Sequence, residues 1–224
     1  MEREGHEHWT ARKTDMTSSE QVKAAVEDCL ERFGRIDILV NNVGGSAPGD
    51  PVNLSEEDWD ALMNRNLKTA FLGCKHVLPV MERQFNAEGK GGAIVNISSI
   101  ASKSFQVGGR VHVGYAASKA GLEAFSRSTA IAYVRKGIRV NSVAVGIMDT
   151  PLVSHRLTKQ LGTESYEKLA EQRKSLVPMG RMGTAWDVAN AVVFLVSDEA
   201  AYITETELIV DGGVTAGRPG PVQS

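Results

Sequence analysis

Cysteine is nearly absent from this chain, with two residues, Cys29 and Cys74, in 224. That rules out a small disulfide-stapled scaffold. Both thiols fall on apolar faces of predicted helices and read as buried, reduced groups of a cytoplasmic protein. No apolar run approaches the roughly 20 residues that cross a bilayer, and Met1 to His8 lacks the apolar stretch of a secretory signal. His6 and His8, on a polar terminus, read as solvated rather than metal-bound. Charge of one sign is lacking too: 25 Lys and Arg stand against 27 Asp and Glu, a net of −2. Nothing electrostatic therefore points to nucleic acid or an anionic membrane. There is no internal repeat and no linker to divide the chain. What remains is 42% hydrophobic and 23% charged, one globular domain with a core that needs neither metal nor disulfide.

Apolar strands alternate with amphipathic helices along that domain. Thr17-Ser18-Ser19-Glu20 has the form of a capping box and opens a helix to about Phe33, stopped by Gly34. Ile36 to Asn41 reads as a buried strand. Ser55 caps a helix through about Met81, with Trp59, Leu62, Met63, Leu67, Ala70, Phe71 and Cys74 inward. Strands over Gly92–Ile97 and Ile138–Val143 flank a helix from Val113 to Arg135. Residues 150–174 are polar and helical in pieces. The helix Thr184–Val196 is apolar on most sides and is expected deep in the packing. Glu207 to Asp211 is the last strand, before Gly212-Gly213. This alternation predicts an α/β fold, a parallel sheet with helices on both faces. Working residues of such sheets lie at the strands' carboxyl ends, here 41–44, 98–102 and 144–150.

One constellation carries chemistry. Tyr115 and Lys119 are four residues apart where the Val113 helix begins, so phenol and ammonium share a face. A phenol with a pKa near 10 is a poor acid or base at neutral pH, but an adjacent cation stabilises the phenolate and makes it usable. That is the proton chemistry an alcohol oxygen needs while hydride moves at its carbon. An isolated Tyr–Lys pair is also an ordinary surface feature. Its weight comes from the company it keeps.

That company is Asp15-Met16-Thr17, Asn41-Asn42-Val43-Gly44, Asn66, Asn96-Ile97-Ser98-Ser99, Asn141-Ser142-Val143 and Asp211-Gly212-Gly213. In this order, from about Asp15 to Gly213, the chain resembles the short-chain dehydrogenase/reductase family. The resemblance implies a Rossmann-like doubly wound sheet and an oxidoreductase that moves hydride between NAD or NADP and a secondary alcohol or ketone. It makes Tyr115 the proton donor or acceptor, with Lys119 lowering its pKa and binding the nicotinamide ribose. Ser99 would hold the substrate oxygen, and Asn66 would anchor a relay water. Ser98 and Ser102 remain alternatives, because family members have a slightly shorter stretch between the serine and the tyrosine; the Gly108-Gly109 loop could absorb the excess. Asp15, Asn41, Gly44, Tyr115, Lys119, Ile147 and Thr150 would contact the cofactor. Residues 148–174 would cover a moderately apolar substrate with Leu152, Leu157, Leu161 and Tyr166. The helices from Ser55 and Val113 would make the contacts of a homodimer or homotetramer.

The front of the chain departs from the pattern. The Thr-Gly-x-x-x-Gly-x-Gly turn, whose amides and following helix terminus meet the cofactor diphosphate, is absent. The expectation is a truncated member lacking its first two strands, with residues 1–14 a remnant, 15–216 the domain and 217–224 a tail. Ile36 to Asn41 would then be an exposed edge. An inactive member serving as a subunit or binding protein is the competing reading. Val145 stands where Pro is usual. Glu205 stands where Gly is common, at a cost if the backbone there is left-handed.

Overall fold

The computed structural model describes residues 9–103, 111–151, 159 and 166–217. His6, His8, the Gly108-Gly109 loop, Leu152, Leu157, Leu161 and the 218–224 part of the tail lie outside that set, as does the Tyr166 side chain.

Helix α1 (Ser19–Phe33) is capped by Ser18, whose Oγ accepts from Gln21 N at 3.4 Å, and Gly34 closes it at φ 77°. The cap is one residue later than the Thr17 box predicts. Thr17 is unavailable because its own N–H and hydroxyl both bond Asp15 Oδ1. Strand β1 is shorter than expected, Ile38–Asn41. Its approach is held by a side chain instead of a ladder: Gln84 accepts from Ile36 N and donates to Ile36 O, each at 2.9 Å.

The Ser55 helix is not one continuous element. Ser55 caps α2 (Glu56–Met63), accepting from Asp58 N. A π-helical turn at Asn64–Lys68 follows, then α3 (Thr69–Glu88), closed by Gly89. The extra residue in the π turn shifts the helical phase. Leu62, Ala70 and Cys74 are buried as expected, whereas Trp59 and Phe71 are 40% and 45% exposed.

Next come β2 (Gly92–Ser99), α4 (Val113–Tyr133) and β3 (Ile138–Val145). Short β4 (Met148–Asp149) pairs with β5 (Gly183–Thr184). Then α5 (Tyr166–Lys174), α6 (Ala185–Val196) and β6 (Glu207–Val210) complete the described chain. The main sheet is parallel, in the order β1-β2-β3-β6.

Side chains alternate across the sheet. On one face Ile94, Ile138 and Val140 meet Cys74, Val77, Met81 and Ala130 of α3 and α4, with α1 outside them. On the other, Val95 and Val143 meet Leu195 of α6. Helices thus cover both faces. The deep placement expected for α6 is not what the structure has: Leu195 is buried, but Trp186 and Val193 are 76% and 63% exposed. Its second apolar side faces outward. At the sheet edge Ile38 and Val40 are 48% and 42% exposed, and residues 9–14 form no strand. No described helix is long and apolar enough to cross a membrane.

Candidate active site

Strand β2 and helix α4 build the site. The first turn of α4 is admitted by Gly114, where a Cβ would lie 2.8 Å from Leu62 Cδ1. That close approach sets Tyr115, half-buried, and Lys119, buried, beside the carboxyl end of β2. The Lys119 ammonium lies 5.8 Å from the centre of the Tyr115 ring. It donates to Ile97 O at 2.7 Å. Two of its three N–H donors have no acceptor among the described residues. Burial makes charge costly here and lowers its pKa from 10.5 to about 8, opposed by the carboxyl group of Glu123.

Asn66 occupies the π turn and is 1% exposed. Its Oδ1 accepts from Gly45 N, while Nδ2 donates to Gly45 O and Leu62 O, each at 2.9 Å. Both amide donors are thereby engaged. Gly44 sits between the two groups: a Cβ there would stand 2.7 Å from Asn66 Oδ1 and 3.4 Å from Lys119 Nζ. Gly44, Asn66, Tyr115 and Lys119, scattered in sequence, are one cluster.

The three serines divide by their partners. Ser98 is buried and donates to Glu123 Oε1 at 2.7 Å. Ser102 donates to Ser99 O at 2.7 Å. Ser99 Oγ accepts from Ala101 N at 3.2 Å, and its proton has no acceptor among the described residues. Ser99 alone of the three offers an uncommitted hydroxyl proton.

Other expected residues lie outside this cluster. Asn41 turns inward, donating to Asn96 Oδ1 at 2.8 Å and to Cys74 Sγ at 3.7 Å; burial pushes that thiol up to about 12. Asp15 is exposed before α1, its carboxyl group held below the usual range by the hydroxyl and then the backbone N–H of Thr17. Ile147 is 3% exposed in an apolar cluster with Ile100, Val177 and Val214. Thr150 is half-buried just past β4. An open depression of about 460 Å³ lined by Leu54, Trp59, Val113 and Ala117 lies elsewhere. Val113 and Ala117 are two residues either side of Tyr115, so they point roughly 200° around α4 from it.

Sequence reasoning missed Glu123. It is 7% exposed and lies one turn beyond Lys119. A carboxylate at the fourth position after a functional lysine, within an apolar helix, was the available signal.

Comparison with known proteins gives the family. A family profile described as enoyl-(acyl carrier protein) reductase matches residues 1–215. The chain is a short-chain dehydrogenase/reductase. The 3-oxoacyl-(acyl-carrier-protein) reductase of Thermotoga maritima is 38% identical over 200 residues, covering 89% of this chain and 74% of the relative. The levodione reductase of Leifsonia aquatica is 36% identical over 203 residues, covering 90% and 73%. The ligand-free aldohexose dehydrogenase of Thermoplasma acidophilum superposes with a TM-score of 0.86 at 31% identity, covering 95% of this chain and 81% of that one. This short-chain dehydrogenase/reductase therefore belongs to a family of oxidoreductases and has their α/β Rossmann-like fold.

Proposed function

We propose that this chain interconverts a secondary alcohol and a ketone by exchanging hydride with NAD or NADP, with Tyr115 passing the proton. The supporting observation is a buried ammonium, Lys119, 5.8 Å from the phenol ring, with hydrogen-bonding capacity left over. The residues fit the nicotinamide-ribose end of such a cofactor. Lys119 has two donors to offer a ribose, and a side chain at Gly44 would fill the space beside it. When bound, the nicotinamide supplies or accepts the hydride.

The chain's own groups do the rest. Ser99 donates its uncommitted hydroxyl proton to the substrate oxygen and orients it. Tyr115 gives that oxygen a proton in reduction and takes it back in oxidation. Lys119, while charged, stabilises the phenolate left behind. Asn66 fixes the Gly45 loop against Lys119, and a relay water there would use the remaining Oδ1 lone pair. Asp15, Gly44, Ile147 and Thr150 would line the nucleotide, while Asn41 would act through the strand end it braces. Exposed Trp59 and Phe71 support subunit contacts through α2 and α3 in a homodimer or homotetramer. The two unpaired thiols support a cytoplasmic setting.

The competing reading is a non-catalytic member of the same family, acting as a subunit or binding protein. A fluorescence titration of the purified chain with NADH and NADPH separates the two. Saturable binding of either, with turnover of a ketone, supports the enzyme. No binding of either overturns it.

A further inference from the structure

Behind Ser99 and Lys119 lies a polar group that the proposed reaction leaves unused. Glu123 of α4 is 7% exposed and accepts from Ser98 Oγ at 2.7 Å. The Ser102 hydroxyl and the Glu207 carboxyl group are near enough to act on its proton affinity. Ser102 in turn donates to Ser99 O at 2.7 Å, and Ser98 Oγ stands 3.5 Å from Lys119 O. Glu207, on β6, is met by Lys103 Nζ at 2.8 Å. One carboxyl group thus holds the residue before Ser99, while Ser102 bonds the Ser99 carbonyl itself.

We infer that Glu123 is a positioning residue of this site: it clamps Ser98 beside Ser99, and its carboxyl group stands one helical turn behind the Lys119 ammonium. This rests on the proposed function only for its effect on turnover.

The clamp has a direct consequence. With Ser98 and Ser102 tied down, the strand end and its following turn hold one conformation, and Ser99 is the hydroxyl left for substrate. Preorganisation of this sort acts on the chemical step more than on cofactor binding. The electrostatic consequence concerns Lys119. The charged groups facing Glu123 are Lys119 on its own helix, Glu207 on β6 and Lys103 in the turn after β2, with Arg127 acting on Lys103. Burial, and then Glu207, make the Glu123 proton harder to remove. Once ionised, Glu123 favours the charged form of Lys119.

The experiment compares Glu123→Gln and Glu123→Leu with the parent chain. Glutamine keeps an acceptor for Ser98 and loses only the charge; leucine loses both. The Lys119 side chain is titrated by NMR with carbon-13-labelled lysine, its signal assigned by loss in Lys119→Met. The inference predicts that the Lys119 midpoint falls by about one pH unit in Glu123→Gln. For turnover it predicts about a tenfold loss of kcat in Glu123→Leu with cofactor affinity unchanged, and most of that kcat retained in Glu123→Gln. An unmoved Lys119 midpoint in a folded Glu123→Gln overturns the inference. So does a folded Glu123→Leu with undiminished kcat. A parent chain without turnover would sink the proposed function, while the NMR midpoint still decides the role of Glu123.

Discussion

Replacing Lys119 by Met should make the chain's stability less dependent on alkaline pH, and the size of the effect follows from burial. The Lys119 pKa falls from 10.5 to about 8 on folding because the ammonium loses its water. Between those two values the unfolded chain holds a proton at this site that the folded chain has released. Stability must therefore rise as pH climbs through the window, and the penalty is fully present below about 8. Linkage over that interval gives the parent chain about 2 kcal/mol more stability at pH 10 than at pH 7 from this one group. Lys119→Met removes the term and leaves other titrations in place. It also strips Ile97 O of its donor, a loss independent of pH. The assay is urea unfolding of both proteins at several pH values, plotted as the difference between them. A rise of about 2 kcal/mol in favour of the parent from pH 7 to 10 is expected. A flat difference would refute the claim that the ammonium is forced into a dry site.

Other expectations are more local. Glu205 has φ 66°, the left-handed backbone conformation that favours Gly, so Glu205→Gly should stabilise by about 0.5–1 kcal/mol, read as a melting-temperature rise of about 2 °C. Gly44→Ala places a Cβ 2.7 Å from Asn66 Oδ1; calorimetry should find a loss of about 1–3 kcal/mol, with kcat/KM reduced where turnover is measured. Phe71, 45% exposed beside Phe125, should lie at a subunit contact. Phe71→Asp should lower the mass seen by sedimentation, and an unchanged mass would remove α3 from the interface.

Much of this was legible in the sequence because local and long-range signals agreed. The strands at Gly92 and Ile138 were continuous apolar runs, as a sheet buried on both faces demands. Tyr115 and Lys119 needed only helical spacing to be placed together. Failures came where one pattern served two environments. Helix α6 is apolar on both sides, which periodicity reads as burial, yet Trp186 and Val193 face outward. The π turn at Asn64–Lys68 has no hydrophobic signature, and Asn66 alone hinted at it as a poor helix former. The cap moved from Thr17 to Ser18 because Asp15 competed for the Thr17 hydroxyl. Glu123 escaped notice because an acidic residue on a helix is usually solvated. Only the packing of α4 against β2 reveals it as buried.

The most direct test of the account is Tyr115→Phe, with cofactor binding and ketone turnover measured side by side on the same preparation. Losing one phenolic oxygen should leave nucleotide affinity largely intact and turnover abolished. Sustained turnover by the phenylalanine variant would mean the proton travels by another route, and the reaction assigned to this site would be wrong.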